Sequence, residues 1–186
     1  MLKETVRRKL LVALAAVAVL AVPAPAVAGP ATDDLLSRQA TSAAELQAQI
    51  DRQLQVVPGG EQTAVNEVSY GGGRFVVTYA RPGATQLEAP DCPSGSFCFY
   101  DSLNFVYPRG RLSDYGWQDL ATWNWQDRTE SVHNMTNTGV VFQNHTSGGH
   151  GNDQVLFCQR ALSADPNVYP YANVADHVHR FTDTTC

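Results

Sequence analysis

Two histidines near the carboxyl end have a spacing that could bind a metal ion. His177 and His179 are separated by one residue, so an extended backbone directs both imidazoles to the same face of a strand. Histidine nitrogens are common zinc ligands, and Asp176, His145 or His150 could complete the site. The alternative is a pair of solvent-facing histidines on a terminal strand. Because the spacing forces no third ligand nearby, we predict no metal site here.

Sequence patterns that mark catalysis are absent from the chain. It contains no GxSxG elbow, no HExxH zinc motif and no carboxylate pair that can be placed in a pocket. Serine, histidine and aspartate are numerous, but their presence alone does not define a catalytic triad. We therefore predict a protein that is not an enzyme, with no catalytic residues and no cofactor.

The first 28 residues have the organisation of a secretory signal peptide. A basic start is followed by an apolar run from Leu10 to Val22 and by the small residues of Ala26-Val27-Ala28. The apolar run is shorter than the roughly 20 residues that span a bilayer. We predict that residues 1–28 are removed and that the remaining protein is secreted, without a membrane partner.

The charge of the chain argues against two classes of partner. The whole sequence has a net charge of −5, and residues 1–28 carry four basic residues and one acidic residue, which leaves −8 for the remainder. No lysine follows Lys9. An acidic surface without basic clusters disfavours nucleic acid and anionic membranes as partners.

Four cysteines in an exported chain predict two disulfides. Three pairings are possible from the number alone. Cys92 and Cys98 flank a Pro-Ser-Gly turn that can bring them together, which leaves Cys158 to pair with Cys186. The second bridge would hold a chain end that otherwise frays.

The sequence upstream of the cysteines divides into three segments. Residues 29–41 are polar and are predicted to be disordered. Residues 42–80 have the pattern of a helix followed by a β-hairpin. Residues 81–91, which contain Pro and Gly, are predicted to be a linker.

The helix and the hairpin have separate signals. Ser42 and Glu45 have capping-box spacing, and apolar residues follow at every fourth position, which predicts a helix over residues 43–56. Residues 63–70 and 74–80 are β-rich and are joined by three glycines, as in a hairpin. So small a segment buries little core alone, so it is either an appendage of the main domain or a cleavable pro-segment.

Downstream of Asp91 the pattern is all-β, with short aromatic or β-branched runs between turn residues. Trp117, Trp123 and Trp125 are predicted to be core and corner residues rather than a ligand platform. The candidate strands are residues 97–100, 109–112, 138–143, 155–160 and 178–181.

Several motifs of this region resemble one protein family. The cysteine motif with its following aromatic pair is the most specific, and the resemblance is strongest over residues 92–144. The chain resembles the secreted actinobacterial peptidase-inhibitor family typified by the streptomycete metalloproteinase inhibitor. Residues 65–78 also resemble the amino-terminal extension of longer members. The motifs are residues 92–100, Asn104-Phe105, residues 115–120 and residues 125–131.

The resemblance implies a βγ-crystallin-like Greek-key sandwich with two disulfides over residues 92–186. The chain departs from the family at Tyr107, where relatives have a glycine that makes a tight hairpin. Relatives often carry an Asn-Asp-x-x-Ser-Ser calcium signature, of which this chain keeps Asp127 and Ser131. These two residues are calcium candidates, but we predict no metal and a turn-closing role for Asp127.

The function implied by the resemblance is inhibition of an extracellular peptidase, with a metallopeptidase as one candidate target. We predict a monomer. An inhibitor needs a rigid exposed segment that already has its bound shape, and in this chain that segment must be a loop near a cysteine. The loop of residues 93–97 is an alternative contact. The alternative function is a crystallin-like extracellular binding or structural module without inhibitory activity. The leading loop candidates precede Cys158 and are Asp153, Gln154, Val155, Leu156 and Phe157.

Overall fold

The computed structural model describes residues 32–84, 89–146 and 150–186. The predicted signal peptide at residues 1–28 lies outside them. The described part is mostly β, with two antiparallel sheets, few helices and two disulfides. The predictions of a mainly β fold and of two disulfides are therefore confirmed. None of its helices has the length and apolar character needed to cross a membrane.

The first helix, α1 (Thr32–Ser37), lies within residues 29–41, which were predicted to be disordered and of which residues 32–41 are described. Leu36 is only 3% exposed and belongs to the main hydrophobic core. The side-chain amide of Gln49 donates a hydrogen bond of 2.8 Å to the carbonyl of Leu35. The segment is polar overall, so its composition does not predict that Leu36 anchors it to the core.

The second helix, α2 (Ala43–Val56), matches the predicted bounds. The Ser42 hydroxyl accepts a hydrogen bond from the backbone N–H of Glu45, which satisfies a free donor of the first turn. Leu46 and Ile50 point from one face of the helix into the core. Capping and periodicity thus predict this helix correctly because both act locally.

Eleven strands are present in the described residues. The predictions at residues 97–100 and 109–112 are confirmed, and those at 138–143, 155–160 and 178–181 are shifted by one or two residues. The strands are β1 (Gly60–Ala64), β2 (Glu67–Tyr70), β3 (Phe75–Thr78), β4 (Phe97–Tyr100), β5 (Arg109–Leu112), β6 (Gly116–Asp119), β7 (Ser131–Asn134), β8 (Val140–Asn144), β9 (Gln154–Gln159), β10 (Ser163–Asp165) and β11 (His177–Arg180).

The predicted hairpin is the end of a three-stranded meander. β1 pairs with β2, and β2 pairs with β3 across the three glycines. β3 then pairs with β5, so the seven-stranded sheet has the order β1-β2-β3-β5-β4-β7-β10. The sheet therefore crosses the boundary that the sequence suggested between residues 42–80 and 92–186.

The second sheet has the order β6-β11-β8-β9. The two sheets exchange strands in a regular way. β4, β5 and β7 are neighbours in the first sheet, but β6, which lies between them in sequence, pairs in the second. β8, β9 and β11 are neighbours in the second sheet, but β10 pairs with β7 in the first. Residues 97–134 thus give β6 to the second sheet, and residues 140–180 give β10 to the first sheet. This exchange interlocks the two stretches of chain.

Aromatic side chains fill the core. Trp125 is fully buried and lies edge-on to Phe99, with ring centroids 5.3 Å apart. Phe75 of β3 is also fully buried and stacks on Trp123 at 4.7 Å. The upstream strands therefore contribute directly to the core of the whole molecule.

The disulfides are the pairs that the spacing favoured. Cys92 is bonded to Cys98, and Cys158 is bonded to Cys186, with Cα–Cα distances of 5.6 and 5.5 Å. The first bridge closes a tight turn in which the Ser96 N–H donates to the Pro93 carbonyl.

Candidate functional site

The segment from Asp153 to Phe157 is a strand rather than the predicted loop. Asp153 precedes β9, and the other four residues belong to it. Val155 pairs with Gln143 and Gln154 pairs with Asn144 of β8. Apolar residues with high β-propensity drive this pairing, because the sheet buries part of their surface. The candidate segment is thus an extended edge of the four-stranded sheet.

The side chains of this strand divide into exposed and buried groups. Gln154 is exposed, and the apolar side chain of Val155 is 59% exposed. Leu156 is 7% exposed and belongs to the core. Phe157 is half-buried and stacks on Phe142, with ring centroids 4.7 Å apart. Only the first two residues of the strand therefore present their side chains fully to a partner.

The carboxyl end of the strand is held by the second disulfide. Cys158 is bonded to Cys186, and the neighbouring chain end is hydrogen-bonded to Gly139, whose N–H donates to the Asp183 carbonyl. A Cβ at Gly139 would collide with the backbone carbonyl of Thr185. The absence of a side chain at Gly139 is therefore what allows the chain end to pack here.

The amino end of the strand is held by a buried carboxylate. The side chain of Asp153 is fully buried, with one oxygen 2.5 Å from Nδ1 of His177 and the other 3.4 Å from Nδ1 of His145. Burial alone would raise the pKa of Asp153, but the hydrogen bond and the charge of His177 lower the pKa below its usual value. Asp153 therefore ties β9 to β8 and β11.

Sheet register explains this convergence. Gln143 of β8 lies opposite both Val155 of β9 and His177 of β11. Two residues after Gln143 is His145, and two residues before Val155 is Asp153. The antiparallel register of β8 and β9 therefore brings His145 and Asp153 next to each other. Sequence spacing does not link Asp153 to His177, because 24 residues separate them.

His177 and His179 differ in burial and in their neighbours. His177 is only 5% exposed, which corrects the picture of two solvent-facing histidines. The ring of His179 lies against Phe181, with centroids 5.0 Å apart. The partners of His177 are instead Asp153, His145 and the indole of Trp117, whose centroid is 4.5 Å away.

The alternative contact loop, residues 93–97, protrudes less than expected. Pro93, Ser94 and Gly95 are exposed, but the two residues that follow are buried. Gly95 has a φ of +79°, and its N–H donates to the Met135 carbonyl, which ties the turn to the sheet. The turn offers three residues to a partner.

The calcium candidates differ in their surroundings. Asp127 is exposed as a residue, but partial desolvation of its carboxyl group and the charge of Asp176 raise its pKa. Ser131 is fully buried; its hydroxyl donates to the Ser102 carbonyl at 2.7 Å and accepts from the Phe105 N–H at 3.0 Å. The Ser131 hydroxyl thus holds the backbone of residues 102–105.

One comparison with known proteins bears on the function. Residues 85–152 match the model of peptidase inhibitor family I36. The match spans β4 to β8, which is little more than a third of the chain. It supports a peptidase-inhibitor family, and such a family suggests an inhibitor rather than an enzyme. The match ends just before Asp153. No curated protein and no solved structure gives a significant match. The disulfides and the family fit a secreted protein.

Proposed function

We propose that the protein is a secreted inhibitor of an extracellular peptidase and that Asp153 and β9 form its contact segment. The observation that carries this proposal is an edge strand with an exposed apolar residue, held at both ends. The match over residues 85–152 supports the inhibitor function. The resemblance to an inhibitor of metalloproteinases favours a metallopeptidase target, and the acidic charge favours a monomer.

An edge strand is suited to a peptidase cleft because such clefts bind extended peptides. Among the described residues, β9 pairs on one side only, with β8. Its other side can form main-chain hydrogen bonds with a partner strand, while an outward side chain enters a pocket. Val155 is the side chain placed to do so.

Restraint at both ends makes this segment preorganised. The disulfide at Cys158 and the hydrogen bonds of Asp153 remove freedom that would otherwise be lost on binding. If the peptidase cleaves a bond in the segment, the same restraints hold the two new ends in place. Such a segment binds as a substrate but leaves slowly.

The scaffold that carries the segment is proposed to be a βγ-crystallin-like pair of Greek keys. The exchange of β6 and β10 between the sheets supports this assignment. The left-handed backbone at Asn104 and Phe105, with φ of +57° and +62°, supports it as well, because a folded hairpin needs such a reversal.

A matched pair of valines tests the contact segment. We expect Val155→Asp to weaken inhibition of a sensitive peptidase at least tenfold, a change of about 1.4 kcal/mol, because a charge replaces an apolar contact. The control is Val65→Asp, since Val65 is 58% exposed but lies beside the far edge strand β1. The measurement is the inhibition constant of each variant. Equal inhibition by both variants would place the contact elsewhere.

A further inference from the structure

Three side chains from separate parts of the chain converge at one end of the second sheet. His145 follows β8, Asp153 precedes β9 and His177 begins β11. Each offers a ligand atom, and the three atoms lie within 4.8 Å of one another. Two imidazoles and one carboxylate are a donor set that suits Zn²⁺ with an open fourth position. Calcium and magnesium instead prefer oxygen ligands alone.

The distances are close to those that a zinc ion requires. Bonds of about 2.0–2.2 Å in a tetrahedral site place ligand atoms roughly 3.4 Å apart. Nδ1 of His145 is 3.4 Å from Oδ1 of Asp153. Nδ1 of His177 is 2.5 Å from Oδ2, as in a hydrogen bond, so it must withdraw by about 1 Å when the shared proton leaves to solvent.

The surroundings complete the site. Nε2 of His177 lies 3.9 Å from Oδ1 of Asp119, which is beyond hydrogen-bond distance, so this outer carboxylate would orient the ring only after moving closer. The Asp153 carboxylate is fully buried, whereas the His145 side chain is 52% exposed and leaves a route for an ion. Asp119, Gln126 and Asp176 line the depression next to the two histidines.

We propose that His145, Asp153 and His177 bind one divalent transition-metal ion of the Zn²⁺ type. The ion cross-links the end of β8 to the starts of β9 and β11. It therefore fixes the position of Asp153, the residue that immediately precedes β9. This inference does not depend on the inhibitory function, because it concerns metal binding alone.

Binding is tested on the untagged secreted protein after treatment with a chelator. Titration calorimetry with ZnCl₂ is expected to give one ion per chain with a micromolar or lower Kd. His145→Asn removes an exposed ligand without disturbing the core, and is expected to weaken binding at least tenfold. His179→Asn is the matched control, since His179 lies on the same strand as His177 but outside the cluster.

Thermal unfolding gives a second readout. Zn²⁺ should raise the Tm of the wild type and of His179→Asn, but not of His145→Asn, because a ligand stabilises only the state that binds it. Ca²⁺ at the same concentration should leave the Tm unchanged. Absence of binding by the wild type, equal binding by His145→Asn, or an equal effect of Ca²⁺ would each overturn the proposal. Inhibition is not measured, so the result stands apart from the test of β9.

Discussion

Asp91, beside the first disulfide, anchors a cluster of polar side chains. Its carboxylate accepts a hydrogen bond of 2.9 Å from the Tyr100 hydroxyl and another from Tyr107, and it lies 3.0 Å from the Arg109 guanidinium. Burial opposes ionisation, but the Tyr107 hydrogen bond and the Arg109 charge lower the pKa of Asp91 below its usual value. Tyr107, which departs from the family pattern, thus has a structural partner.

The lowered pKa of Asp91 predicts a loss of stability in acid. The contribution of the ionised group is fully present above the unfolded-state pKa of about 3.9 and is lost as the pH falls through the lower folded-state value. Asp91→Asn should therefore flatten the decline of Tm below pH 4, whereas Asp51→Asn, on the exposed side of α2, should not. Calorimetry from pH 7 to pH 2 measures this, and parallel curves for wild type and Asp91→Asn would contradict it.

Arg128 joins the amino-terminal helix to the main domain. Two of its N–H groups donate to Oδ2 of Asp101 at 2.7 and 3.1 Å, and another donates to the Leu36 carbonyl. Its guanidinium also lies 4.5 Å from the centroid of the Trp125 ring. Because the Asp101 side chain is only 8% exposed, water cannot easily replace Arg128.

Removing that arginine is expected to be costly. Arg128→Met leaves the Asp101 carboxylate buried and unpaired, which should lower the free energy of unfolding by about 3 kcal/mol. Arg160→Met, at an exposed position, should change it by less than about 0.5 kcal/mol. Denaturant unfolding measures both values, and a loss below about 1 kcal/mol for Arg128→Met would show that the pair contributes little.

At the scale of elements, the sequence predicts what is local. The capping serine and the spacing of Leu46 and Ile50 define α2, and apolar runs define β4 and β8. β7 escapes prediction because its buried Ser131 and Asn134 are polar and are satisfied by hydrogen bonds rather than by apolar contacts. β10 has three residues and no apolar pattern. Such strands form because neighbours pair with them, not because of their own composition.

The upstream strands give a prediction about the mature protein. β3 lies between β2 and β5, and its Phe75 is 0% exposed, so loss of that ring alone would cost about 3–5 kcal/mol. The secreted protein should therefore begin near Gly29 and keep residues 42–80. Amino-terminal sequencing checks the start. A chain beginning at residue 81 should unfold at a lower temperature than the chain from 29; equal stability would revive the pro-segment alternative.

At the scale of the molecule, two sheets interlock by exchanging β6 and β10. The fold class and the disulfide pairs follow from cysteine spacing, turn residues and the family resemblance. The continuous seven-stranded sheet does not follow, because β3 and β5 pair across more than 30 residues of chain. The meeting of His145, Asp153 and His177 likewise depends on the register of three strands. Long-range pairing is what sequence patterns leave open.

The proposed contact segment and the upstream strands lie in different sheets. β9 forms one edge of the four-stranded sheet, whereas β1 forms an edge of the other sheet. The amino-terminal part can therefore support the core without covering the β9 edge in this pairing order. This separation is what makes Val65 and Val155 a useful pair of positions.

The most direct test of the central claim is titration of a peptidase panel with the purified mature protein. The panel should include thermolysin-like metallopeptidases and serine and cysteine peptidases. We expect micromolar or lower concentrations to abolish the activity of at least one extracellular peptidase, with one inhibitor molecule bound per enzyme. Full activity of every enzyme at those concentrations would contradict the inhibitor function.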